Sequence, residues 1–339
     1  MSTTRGSSTR DGGELFVNVT FYGVRGSTPC SCEENRRYGG NTACVTLESP
    51  DADPVVLDMG TGLRFWGETL PLDGSLRAHA LITHLHWDHV QGLPFFTPAH
   101  IAGAQLDIHG PVQEGMSLAE AFGEFMRPPY FPVRVDALAG DIRFQSLPDG
   151  HHVIGDAKVL ARSVAHVGPT LGFRVEIQGV SVAYISDHQQ PLDGGFDIAD
   201  GVLELCDGAD LLIHDAQYTP EEFVKKAHWG HCTIDYALHI AKESGARRLA
   251  LFHHDPSHDD DRLDQLLDET QQKAAKLGAG EVLCAAEGMQ LVLDAPDGAQ
   301  RAPARMTPKL VTRKADRRIP GLTVPTDRPA RSTPRRRRH

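Results

Sequence analysis

The chain has no uninterrupted apolar run of 18 residues, so it offers no candidate membrane span. Its first stretch, Met1 to Glu14, is polar and rich in Gly, Ser and Thr. It lacks the apolar core of a secretory signal, and the cytoplasm is the expected compartment. Cysteine is sparse: Cys30, Cys32, Cys44, Cys206, Cys232 and Cys284 are scattered over 339 residues, which excludes a disulfide framework. Only Cys30 and Cys32 are close enough in sequence to share a structural zinc. No further thiol follows nearby, which favours an ordinary loop. No repeat of fixed period is present.

Charge is abundant but unevenly placed. The formal net charge is −11, yet residues 301–339 hold 13 basic and 2 acidic residues, which leaves residues 1–300 at −22. Such a body repels nucleic acid at long range except where a bound metal reverses the local field. The tail, ending Arg335-Arg336-Arg337-Arg338, is rich in Pro and Arg and buries too little apolar surface to fold. It is expected to be disordered and suits an anionic partner such as nucleic acid, a membrane surface or an acidic protein. The expected organisation is a disordered segment 1–14, a folded domain 15–295 and the basic tail 296–339.

With 40% hydrophobic residues the body can bury a substantial core. β-rich runs separated by turn signals occur at 16–21, 43–47 and 55–57. A mixed stretch from Gln105 to Phe144 contains a predicted helix over 117–126. Strands are predicted at 171–177, 180–185 and 249–252, and helices at 234–244 and 261–276. Strands first, then strands alternating with helices, suggest two sheets sandwiched between helices.

The densest chemistry lies at Thr83-His84-Leu85-His86-Trp87-Asp88-His89, directly after Leu81-Ile82. Imidazole and carboxylate together suit zinc, and also manganese or iron, and such a ligand set can leave a coordination position open for water. Further candidates sit beside apolar runs, where a sheet can hold them rigidly: His166 before the turn at Gly168-Pro169, Asp187 after Ile185, and His253 after Phe252. His254 competes with His253, and Asp215 with Asp187.

The pattern His84-x-His86-x-Asp88-His89 with His166, Asp187 and His253 resembles the metallo-β-lactamase superfamily. More narrowly it resembles the phosphodiesterase branch containing ribonuclease Z and small cyclic-phosphate hydrolases. The similarity covers Phe16 to about Leu293 and implies a four-layer αββα sandwich. It implies two divalent cations, one held by His84, His86 and His166, the other by Asp88, His89 and His253, with Asp187 bridging. It also implies that Asp58 orients the ligand histidines from behind. Trp229-Gly230-His231-Cys232-Thr233, opening a helix, is similar to the branch's His-Ser-Thr element, with Cys232 where serine is usual. His231 at a helix start could meet a phosphate and protonate a leaving oxygen; the plainer reading is that Thr233 caps the helix and His231 is merely exposed. The loops Gly23 to Ser27 and Arg37 to Thr42 also match the branch, and Asn41 could hydrogen-bond substrate; they serve equally as tight turns.

The activity implied is hydrolysis of a phosphodiester by a hydroxide that two cations share. Asp88 would orient the hydroxide and His231 would assist the departing alkoxide. Ribonuclease Z carries its transfer-RNA arm between the motifs matched here by His166 and Asp187, and only 21 positions separate these two residues. That spacing, with the acidic body, favours a small substrate such as a cyclic nucleotide. The alternatives are a ribonuclease Z-like endonuclease, an acyl hydrolase (lactonase or thioesterase) and a non-catalytic ligand sensor. Members of the family often form homodimers.

Overall fold

The computed structural model describes residues 15–50 and 52–295. The segment 1–14 and the basic tail 296–339 lie outside the described residues. The first half of the chain supplies β1 (Phe16–Gly23), β2 (Cys44–Glu48), β3 (Val55–Leu57), β4 (Arg77–Leu81), β5 (Gln105–Pro111) and β6 (Asp141–Leu147), with helices α1 (Leu63–Thr69), α2 (Trp87–Val90) and α3 (Leu118–Phe125). The second half supplies β7 (Gly150–Ile154), β8 (Ala157–Ser163), β9 (Leu171–Ile177), β10 (Val180–Ile185), β11 (Leu211–Asp215), β12 (Arg248–Phe252) and β13 (Glu281–Cys284), with α4 (Asp200–Cys206), α5 (Pro220–Lys226), α6 (Ile234–Ser244) and α7 (Asp260–Leu277). A last strand, β14 (Gln290–Asp294), returns to the first sheet.

The two seven-stranded sheets run β14-β1-β2-β3-β4-β5-β6 and β13-β12-β11-β10-β9-β8-β7. In the first, pairing is antiparallel from β14 to β3 and parallel from β3 to β6. The second repeats this scheme, antiparallel from β7 to β10 and parallel from β10 to β13. Strand periodicity explains why central strands read as unbroken apolar runs, since successive side chains enter different cores. Val55 and Leu57 join Tyr184, Ile213 and Phe252 between the sheets, whereas Val56 faces outward onto Trp66 and Phe122. Ala183, Ile185, Leu212 and Leu251 face the other way, onto Leu205, Ile240 and Leu263 of α4, α6 and α7. The result is the expected αββα sandwich.

Helix boundaries follow their caps. Ser117 and Glu120 form a capping box, so α3 starts one residue later than the predicted span, and Arg127-Pro128-Pro129 follows its end. Thr233 caps α6, and Gly245 closes it in the left-handed conformation. The stretch read as mixed holds β5 and β6 besides α3. Among the described residues no helix is long and apolar enough to cross a membrane.

Candidate metal centre

Several strands end together at one edge of the sandwich, and each delivers a polar residue there. Asp58 follows β3, the His84 to His89 segment follows β4, His166 follows β8, Asp187 follows β10, Asp215 closes β11 and His253 follows β12. His84, His86 and His166 approach as one group, with His86 Nδ1 3.3 Å from His166 Nε2. Asp88, His89 and His253 form another, in which the Nε2 atoms of His89 and His253 lie 3.3 Å apart. Asp187 stands between them. Its Oδ1 is 3.1 Å from His89 and 3.4 Å from His253, and its Oδ2 is 3.8 Å from His84 and 3.7 Å from His166. All seven residues singled out as ligands are thus brought together.

Atoms behind the ligands fix which face each ring presents. His89 Nδ1 donates to Asp58 Oδ2 at 2.8 Å, and His253 Nδ1 donates to Gln217 Oε1 at 2.8 Å. His166 Nδ1 donates to the Gly230 carbonyl at 2.7 Å. Thr83 Oγ1 gives its single proton to Asp58 and so accepts from His84 Nδ1 at 3.1 Å. With Nδ1 engaged, the Nε2 atoms of all four rings are aimed inward toward the Asp88 and Asp187 carboxylates. Nitrogen and oxygen atoms this close repel unless a proton or a metal cation lies among them. His84 Nε2 and Asp187 Oδ1 are also buried without a hydrogen bond, a cost that metal ligation removes. Burial disfavours charge on His89, yet Asp88, Asp187 and Asp58 outweigh it and push its pKa well above the ordinary value. The donor set, nitrogen and carboxylate oxygen alone, fits divalent transition metals.

The backbone is forced to build this arrangement. Ser27, Asp58 and His253 all have left-handed φ, at 61°, 57° and 56°. Each costs roughly 1–3 kcal/mol, and such conformations gather at functional sites. Ser27 thereby points its N–H at Asp88 Oδ2, 2.7 Å away. Gly26 must lack a side chain, because a Cβ there would lie 2.4 Å from His253 Nδ1. The loop Gly23 to Ser27 is therefore part of the centre. In the Arg37 to Thr42 loop, Asn41 gives both its backbone N–H and its side-chain amide to Glu287, as suits the tight-turn reading.

His231 is 6% exposed and enters the centre, its Nδ1 3.0 Å from Asp215 Oδ2 and 3.6 Å from Asp187 Oδ2. Thr233 caps α6 as well, so the two readings of this segment coexist, except that His231 is buried rather than exposed. Burial opposes its protonation, but Asp215, then Asp187 and Asp88, outweigh that and raise its pKa. Asp215, considered as a rival for the bridging position, instead backs His231 and accepts from the N–H groups of His188 and Gln217. His254 turns away to the Ala285 carbonyl at 2.9 Å. Cys30 accepts a bond from Asn35 at 3.1 Å, and among the described residues neither Cys30 nor Cys32 belongs to a metal-competent group. Sequence reasoning did not find Thr83, Gln217, the Gly230 carbonyl or the pairing of Asp215 with His231. The one visible signal was the polar pair His214-Asp215 closing an apolar run.

The β-lactamase superfamily domain model matches residues 62–254, which span the ligands from His84 to His253. Ribonuclease Z of Haloarcula marismortui is 24% identical over 325 residues, covering 84% of this chain and 99% of that protein. Among solved structures, the metallo-β-lactamase fold protein YhfI from Bacillus subtilis superposes with a TM-score of 0.62 at 20% identity, covering 82% of this chain and all of that one. Human tRNase Z, short form, superposes with a TM-score of 0.57 at 23% identity, covering 81% of this chain and 98% of that one. The chain belongs to the metallo-β-lactamase superfamily. Within it the chain is also similar to the ribonuclease Z of Natronomonas pharaonis, at 27% identity over 282 residues.

Proposed function

We propose that the protein is a phosphodiesterase that works with two divalent cations, zinc being the best match, on small cyclic phosphates such as cyclic nucleotides. His84, His86 and His166 would hold one cation, Asp88, His89 and His253 the other, and Asp187 would bridge. Two cations held in such a cradle would supply the Lewis acidity that activates water and offsets charge developing on a phosphate. The inward convergence of four imidazole Nε2 atoms on two carboxylates carries the reading.

The chain's own residues then do the remaining work. Asp88, fixed by the Ser27 N–H, orients the attacking water. His231 protonates the leaving oxygen from Nε2, since Nδ1 is engaged by Asp215. Asp215 sits in β11, behind the ring, so its charge still favours imidazolium once cations neutralise Asp88 and Asp187.

The small-substrate preference is supported by the connection between His166 and Asp187, which is taken up by β9, β10 and a turn at Gln178-Gly179. A second reading, an RNA endonuclease, is favoured by the matches to proteins named ribonuclease Z. Purified protein loaded with zinc should hydrolyse cyclic nucleotides and leave precursor transfer RNA intact. Preferential cutting of the RNA would replace the first reading by the second. Turnover of an aryl ester without any phosphodiester would move the protein to the acyl hydrolases, and no turnover of any substrate would make it a sensor.

A further inference from the structure

We infer that Trp87 and Trp229 form an aromatic subsite at the mouth of the metal centre, which takes the planar base of a nucleoside phosphodiester. The inference rests on the phosphodiesterase reading and specifies what the phosphate carries. Three parts of the chain meet at the opening. His86 Nδ1 touches His166 Nε2 at 3.3 Å, and His166 Nδ1 bonds the Gly230 carbonyl at 2.7 Å. Gly230 is held so close that a Cβ there would lie 2.5 Å from His166 Nδ1 and 3.4 Å from Val167. His86 is the exposed member of the cluster, so solvent enters here.

The neighbour of each of these residues is a large apolar side chain turned to solvent: Trp87 is 67% exposed, Val167 56% and Trp229 55%. In α2 the other three residues, Asp88, His89 and Val90, are buried, so the helix shows solvent its indole alone. The Trp229 ring is not loose. Lys226 Nζ lies 5.8 Å from its centroid, within cation–π range, and is itself fixed by Asp255 at 2.8 Å. Two exposed indoles, each one residue from a residue of the opening, offer broad faces for stacking and a single N–H donor each. That arrangement suits a flat heteroaromatic group and tolerates different bases.

The preference is read as a ratio of kcat/KM values, for a nucleoside cyclic phosphate over the corresponding ribose cyclic phosphate without a base. From the usual strength of base–indole stacking, the zinc-loaded wild type should favour the nucleoside substrate by about tenfold or more. In Trp87→Ala and Trp229→Ala the ratio should fall toward one, and Trp87→Phe should restore most of it. Partial misfolding lowers both substrates alike and leaves the ratio untouched. A wild type indifferent to the base, a preference for an aliphatic phosphodiester, or an unchanged ratio in both alanine variants overturns the subsite. If the wild type turns over neither cyclic phosphate, the phosphodiesterase reading fails, and nucleoside monophosphate quenching of tryptophan fluorescence reads the subsite by itself. The chain has three tryptophans and Trp66 is buried, so quenching should shrink in Trp87→Phe and Trp229→Phe. Equal quenching in wild type and both variants also refutes it.

Discussion

Replacing His231 by alanine should separate two substrates whose leaving groups need very different amounts of help. A nitrophenolate departs as a stable anion, whereas a ribose hydroxyl must be protonated as its bond to phosphorus breaks. General acid catalysis by a positioned side chain is worth about 10²- to 10⁴-fold. The pairing of His231 Nδ1 with Asp215 at 3.0 Å, and the raised pKa that follows, equip the ring for that role. His231→Ala should therefore lower kcat on a nucleoside cyclic phosphate by about 10²-fold or more, yet lower it by only about tenfold or less on a bis-nitrophenyl phosphodiester. Both substrates are followed with zinc in excess, and metal content is measured on the same samples. If the two substrates lose rate equally while metal content holds, His231 serves binding or structure, and the proton-transfer argument is wrong.

Asp58→Asn should weaken zinc affinity about 10- to 100-fold, by competition with a chromophoric chelator, because one carboxylate holds Thr83, His89 and Tyr184 together. Affinity unchanged in this variant would mean that the ligand rings are oriented by packing alone. Gly26→Ala should abolish turnover and lower metal content at the cation position proposed for His253, since the new methyl would displace that ring from Gln217; metal analysis and activity check it together. Elsewhere in the first sheet, burial first and then His79 and His152, against Asp107, bring the pKa of His109 down to about 4. A depressed histidine pKa means the unfolded chain binds the proton first, so stability falls as pH drops from about 6.5 to about 4, by up to about 1.4 kcal/mol per pH unit. His79 faces Asp53 and Asp107, and Arg143 approaches Asp107. His109→Gln should remove that one contribution from the pH dependence in a urea-denaturation series, and an unchanged slope would refute it.

The sandwich was legible because its central strands are buried on both faces and read as continuous apolar runs, as at Val180–Ile185 and Leu249 to Phe252. β5 and β6 were not, because their side chains facing the other sheet include Asp107, His109, Arg143 and Gln145, which blur the apolar signal. The ligands were legible because metal chemistry restricts residue type and strand ends restrict position. Their supports were not, since a carbonyl such as that of Gly230, or the amide of Gln217, leaves no mark in local sequence. Asp215 shows the limit best: its place after an apolar run made it look like a ligand, and only the fold shows that it faces His231 instead.

The cradle draws on both layers of strands, with the His84 to His89 segment and Asp58 from one, and His166, Asp187 and His253 from the other. Neither layer alone carries a full set of donors. Cations seated there would act as rivets across the seam, and slippage of one layer past the other would cost their ligation before it exposed much of the interior. Substitutions deep in that seam, far from the chemistry, would then announce themselves first as leaking metal and only later as a lower melting temperature.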